Sequence, residues 1–163
     1  MKPLTVFSMF DGISCGRIAL ERAGIPVKQY FTSEIDKYAS AISRCNWNTT
    51  ELGDVTKVNF NELPPLDIIF CGAPCQDLSF SGKGKGLFKG DRSKLFFYFI
   101  ECLRIARLKN PDVLFIVEQV KMKKEYQDTM TKLLGVEPVL INSKDFSAQS
   151  RQRLYWTNID VLP

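Results

Sequence analysis

Short apolar runs alternate with helical patterns along the whole chain, and this alternation limits the fold more than any other feature of the sequence. Two parallel strands need a long crossover between them, usually a helix. The pattern therefore predicts an α/β fold, with a mostly parallel central sheet and helices on both faces. The predicted strands are residues 4–10, 29–33, 66–70, 113–117, 138–142 and 154–158, and the predicted helices are residues 17–23, 36–45, 93–109 and 123–134. We expect residues 1–163 to form one domain.

The composition argues against several kinds of site. The sequence has no histidine, which excludes histidine-based acid–base catalysis and makes a transition-metal site improbable. Its five cysteines lack the Cys-x-x-Cys spacing of many zinc sites, so we expect reduced thiols and no bound metal. No run is long and apolar enough to span a bilayer, and no signal peptide precedes the first strand. We expect a cytoplasmic protein, or a nuclear one in a eukaryote, with no membrane partner.

The segment 66–76 holds the strongest candidate for a nucleophile. A buried apolar strand runs into a turn made of Gly72, Ala73 and Pro74, and Cys75 follows the turn. Ligands of open α/β sheets bind at the carboxyl ends of the strands, so this cysteine is expected to face the ligand crevice. A thiolate adds to carbon and leaves again, which suits covalent catalysis. The alternative is a small buried cysteine that only caps a strand.

Three acidic residues follow the first strands of the predicted sheet. Asp11 follows the first strand, Glu34 the second, and Asp54 a short polar loop. Like charges repel, so this edge disfavours a phosphate and favours a cationic or zwitterionic nucleoside. Glu34 is expected to accept hydrogen bonds from ribose hydroxyls, and Asp54 from an adenine amino group. Taken singly, Glu34 or Asp54 is more typical of a helix cap or a solvated turn, but three acidic residues at successive loop tips favour a site.

Charged residues that follow the nucleophile segment extend the predicted site. Glu118 follows a buried strand, which places it at the same edge as Cys75, and Arg151 and Arg153 share one face of an extended segment. Such an arginine pair suits a phosphate or a base oxygen, unless both arginines lie only on the surface. Segment 76–94 is rich in glycine and lysine. This composition predicts a loop that either closes as a lid, with its lysines on phosphates, or is only solvated. The apolar start of the next helix, residues 95–99, indicates core packing or a surface that meets another chain.

Together these elements resemble the DNA cytosine-5 methyltransferases, most closely in appearance the de novo type and the phage and bacterial enzymes. The resemblance rests on Phe10-Asp11-Gly12, Glu34, Gly53-Asp54-Val55, Pro74-Cys75-Gln76, Glu118-Gln119-Val120 and Gln149-x-Arg151-x-Arg153, which occur in the family's order. It covers essentially the whole chain and implies a Rossmann-like fold that binds S-adenosylmethionine and DNA, as in restriction–modification systems.

The resemblance also implies a role for each matching residue. S-adenosylmethionine would be bound by Phe10, Asp11, Gly12, Ile13, Glu34, Ile35, Asp54, Val55, Gly72 and Pro74. Cys75 would attack carbon 6 of a cytosine flipped out of the duplex, and Glu118 would hold the ring nitrogen and the amino group. Arg153 would contact the base oxygen, with Arg151 supporting its loop.

Two departures from the family pattern qualify this interpretation. The family has Glu-Asn-Val where this chain has Glu118-Gln119-Val120, and the longer glutamine is expected to displace the Pro74 turn, so that Gln119→Asn raises activity. The sequence also contains no counterpart of the family's target-recognition region after Arg153. We therefore expect a second chain or further C-terminal sequence to supply recognition. Two alternatives remain: a catalytically weak partner subunit of a split methyltransferase, and a cytosine-5 methyltransferase that acts on RNA.

Overall fold

The computed structural model describes residues 1–74 and 94–160, and within these ranges the strands form one sheet. The strands are β1 (Leu4–Met9), β2 (Val27–Ser33), β3 (Thr50–Glu51), β4 (Ile68–Cys71), β5 (Leu114–Val120), β6 (Val139–Asn142) and β7 (Gln152–Thr157). Their order across the sheet is β3-β2-β1-β4-β5-β7-β6. The pairs from β3 to β5 are parallel, and β7 is antiparallel to both β5 and β6. The predicted α/β class with a mostly parallel sheet is confirmed.

Helices cover both faces of this sheet. The described helices are α1 (Cys15–Arg22), α2 (Lys37–Asn46), α3 (Leu95–Lys109) and α4 (Lys124–Leu134). Phe7, Ile69 and Phe115 lie side by side in register, are 0% exposed, and belong to a core that includes buried residues of α3 and α4. Their neighbours in each strand point the other way because side chains alternate across a sheet. On that opposite face, Val6 and Ile68 form a second core with Leu20 of α1.

The helix ends follow the local sequence signals. Asp36 caps α2 as predicted, since its carboxylate accepts the backbone N–H groups of Tyr38 and Ala39 at 2.8 and 3.1 Å. Gly135 ends α4 with a φ of 75°, a conformation that glycine adopts without steric cost. Both signals are local side-chain or backbone effects, which explains why the sequence alone located them.

Three of the differences from the sequence prediction concern strands β5, β7 and β3. Strand β5 continues three residues beyond Val117, so Glu118 lies inside the strand and not after it. Strand β7 begins at Gln152, which places Arg153 in the sheet. Strand β3 was not predicted, because two residues carry no measurable periodicity. The antiparallel pairing of β5 with β7 accounts for the first two differences, since each strand extends where the other offers backbone partners.

The apolar start of α3 belongs to the core. Phe96 and Phe99 are 2% and 0% exposed, and the Phe99 ring lies 6.0 Å from the ring of Phe115 between centroids. The prediction that residues 95–99 pack in the core is therefore confirmed for these two rings. The alternative, that these two rings meet another chain, is wrong because both are buried. In the described ranges, no helix has the length and apolar character needed to cross a membrane.

We predict that Phe99→Ala lowers the free energy of unfolding by about 3–5 kcal/mol, because it leaves a cavity between α3 and the sheet. The matched control is Tyr98→Ala on the same helix, where the side chain is 36% exposed and the loss should be about 1 kcal/mol or less. Urea denaturation measures both. Similar losses for the two variants would contradict the placement of Phe99 in the core.

Candidate active site

A cleft of about 510 Å³ lies over the α1 face of the sheet, near the carboxyl ends of the parallel strands. Ser8, Phe70 and Ile116 form its floor, side by side in register on β1, β4 and β5. Cys15, Gly16 and Ala19 of α1 line one side, and Tyr155 and Thr157 of β7 line the other. The order of strands β1, β4, β5 and β7 thus creates an apolar cleft at the edge where α/β sheets bind ligands.

The cleft brings together four of the predicted site residues. Phe10, Asp11 and Gly72, expected at the cofactor, line it together with Glu118, expected at the target base. A methyl transfer requires these two groups of residues to share one space. The sequence placed them at one edge, and the structure places them around one cleft.

The carboxylate of Glu34 joins the β1–α1 turn to the β2–α2 turn. Its Oε2 accepts the backbone N–H of Gly12 at 2.8 Å, and its Oε1 accepts the N–H groups of Ile35 and Asp36, each at 2.8 Å. Gly12 has a φ of 59°, which favours glycine at this position. A carboxylate has about four lone-pair sites, so these three donors leave room for about one more hydrogen bond.

Asp54 lies at the next turn along the sheet edge. Its Oδ1 accepts the backbone N–H and the hydroxyl of Thr56, at 2.9 and 2.8 Å, and these bonds lower the pKa of the carboxyl. The Ser33 hydroxyl donates to the carbonyl of Gly53 at 2.6 Å, which fixes this turn to the end of β2. Asp54 therefore caps a short turn and stays ionised, so its cap role and its expected role as an acceptor are compatible.

Apolar residues flank these acidic groups. Ile35 is 80% exposed beside Glu34, and Ile13 is 44% exposed in the β1–α1 turn. Val55 is different, because the residue is 4% exposed and packs in the core. Pro74 is half-buried and is the last described residue before Cys75.

Glu118 and Arg153 form an ion pair across β5 and β7. Arg153 Nε donates to Glu118 Oε1 at 2.9 Å, and Arg153 Nη1 donates to the carbonyl of Gln152 at 2.8 Å. Tyr155 lies directly opposite Glu118, and burial, followed by the Glu118 charge, raises the pKa of its phenol. Arg151 is exposed, and its backbone N–H donates to Asn142 Oδ1 at 2.9 Å. The two arginines thus differ: one is paired inside the sheet and the other lies at the surface.

Gln119 braces the turn that precedes Cys75. Its side chain is on the opposite face from Glu118, is 3% exposed, and donates from Nε2 to the carbonyl of Ala73 at 2.8 Å. Its Oε1 is buried and accepts no hydrogen bond from the described part of the chain. The glutamine side chain therefore reaches the turn and braces it, and the expected gain in activity from Gln119→Asn stays a prediction.

The nucleophile prediction falls outside the described residues. Cys75 and the lysine-rich segment, including Lys83, Lys85 and Lys89, lie in the range 75–93. Cys71 is the described cysteine nearest in sequence, and burial raises the pKa of its thiol to about 12. A thiol with that pKa stays protonated at neutral pH, so Cys71 is a poor nucleophile and does not compete with Cys75 for the role.

Sequence reasoning missed two parts of the site. The Glu118–Arg153 ion pair depends on which strands are neighbours, and no local pattern reports that pairing. The hydroxyl partners of Asp11, which include Tyr30 and Ser14, were also missed. Tyr30 and Ser14 are unremarkable in the sequence, and only their burial beside a carboxylate marks them.

Comparisons with known proteins agree with this geometry. Residues 4–161 match the family of C-5 cytosine-specific DNA methylases. A type II methyltransferase of Haemophilus parahaemolyticus, M.HhaI, is 34% identical over an alignment of 163 positions, which covers 93% of this chain and 48% of the relative. An orphan methyltransferase of Bacillus phage SPR, M.SPRI, is 34% identical over an alignment of 169 positions, which covers 95% of this chain and 37% of the relative. The chain therefore spans half or less of the length of these two relatives.

A solved structure supports the fold. The Dnmt2 methyltransferase of S. pombe superposes with a TM-score of 0.70 at 20% identity, covering 94% of this chain and 50% of that one. Identity at this level supports the shared fold and carries no information about the substrate.

Gln119→Asn should lower the free energy of unfolding by about 1–3 kcal/mol, because the shorter amide leaves the buried Ala73 carbonyl without a donor. The same change at exposed Gln152 in β7 is the matched control and should cost about 0.5 kcal/mol or less. Denaturant titration of both variants checks this. If Gln119→Asn is as stable as the parent, the Ala73 bond does not brace the turn.

Proposed function

Since the chain belongs to the C-5 cytosine-specific DNA methylase family, we propose that it transfers a methyl group from S-adenosylmethionine to carbon 5 of a flipped-out cytosine in DNA. We propose further that the transfer passes through a covalent adduct on Cys75. The observation that carries the proposal is the shared cleft, because Phe10 and Gly72 on the cofactor side and Glu118 on the base side line one space. Residues 1–163 would act as one catalytic domain.

The described residues fit the cofactor. Glu34 keeps about one lone-pair site for a ribose hydroxyl after binding Gly12, Ile35 and Asp36. Exposed Ile35 and half-buried Phe10 offer apolar surface to an adenine ring. Asp54, kept ionised by Thr56, is an acceptor for an amino group. S-adenosylmethionine would supply an electrophilic methyl group to this site.

The proposed reaction assigns a role to each polar residue of the cleft. The Cys75 thiolate adds to carbon 6 of the cytosine, and electron density moves to carbon 5. Glu118 hydrogen-bonds the ring nitrogen and amino group and so stabilises the charge that develops on the base. Carbon 5 then takes the methyl group, and S-adenosylhomocysteine is left. A base removes the proton from carbon 5, the C5–C6 double bond forms again, and the Cys75 sulfur leaves as a thiolate.

Arg153 contributes to this step through Glu118. Its Nε binds Glu118 Oε1, which leaves Oε2 and a second lone pair of Oε1 for the base. The Arg153 side chain is 18% exposed and that of Glu118 is 39% exposed. A guanidinium has five N–H donors, so Arg153 keeps donors for the base oxygen after binding Glu118 and Gln152. Exposed Arg151 is placed to support the same loop or to meet a phosphate.

Target recognition is proposed to come from sequence outside these residues. The matching relatives are about twice as long or longer, since the chain covers 48% and 37% of them. A basic segment and an arginine pair mainly position DNA, whereas sequence reading needs side chains at base edges. We propose that a second chain or further C-terminal sequence supplies that reading, as part of a cytoplasmic restriction–modification or phage system.

Trapping on 5-fluorocytosine tests the proposed reaction. Duplex DNA that carries this base should form a denaturant-stable adduct with the protein in the presence of cofactor and of co-expressed neighbouring reading frames. Fluorine at carbon 5 prevents the release step, so the adduct accumulates. Cys75→Ser should abolish the adduct, because the Cys75 sulfur makes the bond to carbon 6. Cys45→Ser, which changes an exposed cysteine on α2, is the control and should trap as much DNA as the parent.

Two outcomes would contradict the proposal. An adduct that survives Cys75→Ser would assign the nucleophile to another thiol. An adduct formed on transfer RNA and absent on duplex DNA would assign the substrate to RNA.

A further inference from the structure

A chain of buried hydroxyl groups surrounds the Asp11 carboxylate beneath the β1–α1 turn. Ser14 Oγ donates to Asp11 Oδ2 at 2.5 Å, and the Tyr30 hydroxyl donates to Asp11 Oδ1 at 3.0 Å. Ser43 Oγ lies 2.5 Å from Ser14 Oγ, and the two hydroxyls share a hydrogen bond. The network therefore connects the turn to β2 through Tyr30 and to α2 through Ser43.

The side chains of this network are buried. Asp11 is 9% exposed, while Ser14, Tyr30 and Ser43 are 0%, 2% and 3% exposed. Burial raises the pKa of the Asp11 carboxyl, and the hydroxyls of Ser14, Ser8 and Tyr30 oppose that rise. A buried carboxylate without these donors would be strongly destabilised, so the hydroxyls and the acid depend on one another.

The turn above this network has an unusual backbone. Phe10, Gly12 and Ser14 have φ values of 59°, 59° and 64°, so left-handed residues alternate with Asp11 and Ile13. Phe10 and Ser14 adopt that region against their intrinsic preference. Such a conformation persists only where the surroundings over-determine it. Here Glu34 holds the Gly12 N–H from the outer side, and the Asp11 network holds the turn from the inner side.

Gly16, which follows the turn, leaves space for the Tyr30 hydroxyl. A Cβ added at Gly16 would lie 3.0 Å from that oxygen and 2.8 Å from Cδ2 of Phe70. Glycine at this position lets the first turn of α1 approach β2 and β4 closely. A phenylalanine at position 30 would fill the same space, so packing alone does not account for the hydroxyl.

We propose that Tyr30, Ser14 and Ser43 are positioning residues for the cofactor, acting through Asp11 to hold Phe10 and Gly12 against Glu34. This inference rests on the proposed function of the turn as a cofactor site. None of the three side chains needs to touch the ligand. Removal of one hydroxyl should loosen the turn, and the binding surface made by Phe10, Gly12 and Glu34 should lose its fixed geometry.

The test combines amide hydrogen exchange with calorimetry on the full chain. Tyr30→Phe should speed exchange of the amides of residues 12–14 and weaken S-adenosylmethionine binding, each by about tenfold, since a buried acceptor loses a donor. Ser43→Ala is the second variant and should act in the same direction. Thr131→Val is the control, because it removes the 2.9 Å hydrogen bond to Trp156 on the other face of the sheet. It should lower stability without changing the exchange of residues 12–14 or the affinity.

The measurements separate two proposals: that the network orders the turn, and that the ordered turn binds the ligand. Unchanged exchange of residues 12–14 in both Tyr30→Phe and Ser43→Ala would overturn the positioning role, whatever the affinity. Faster exchange with unchanged affinity would overturn the link between the turn and the ligand. A parent chain that binds no cofactor would overturn the proposed function of the turn, and with it the claim that the network positions a ligand there. The exchange measurement would still show whether the network orders the turn.

Discussion

One carboxylate holds the site together. Glu34 ties the N–H groups of Gly12, Ile35 and Asp36 to one point between the first two strand ends, so it fixes two turns that are far apart in sequence. Unpaired backbone groups at such turns would cost free energy, and a charged acceptor makes strong bonds to them. The exposed surface of Phe10 and Ile35 depends on this arrangement. A ligand that replaced water at the remaining lone pair would meet a turn already in place.

The order of the strands in the sheet brings the other site residues together. Strands β1, β4 and β5 lie side by side, so Phe10, Gly72 and Glu118 follow one another along the sheet edge although they are distant in sequence. The antiparallel return of β7 then brings Arg153 to Glu118. The same alternation of side chains sends Gln119 to the opposite face, where it supports the Ala73 turn. One pair of adjacent residues in β5 thus serves the cleft on one face and the turn that precedes Cys75 on the other.

Local signals made most of the fold predictable, and non-local pairings explain the remainder. The alternation of strands and helices, the Asp36 cap and the glycine after α4 are local, and the structure confirms them. The positions of Glu34 and Glu118 at one sheet edge also followed from the sequence, because carboxyl ends of parallel strands meet there. Two features could not be predicted from the sequence: the ion pair of Glu118 with Arg153, and the hydroxyl partners of Asp11. Both depend on strand order and burial, which no window of sequence contains.

Calorimetric titration with S-adenosylmethionine shows whether these residues form a cofactor site. We expect saturable binding by the parent chain and a loss of about 1–3 kcal/mol in Glu34→Ala, roughly 10- to 100-fold in affinity. Glu125→Ala, on the exposed surface of α4, is the matched control and should bind like the parent. Equal affinity in Glu34→Ala, or no binding by the parent chain, would show that Glu34 does not hold a cofactor at this edge of the sheet.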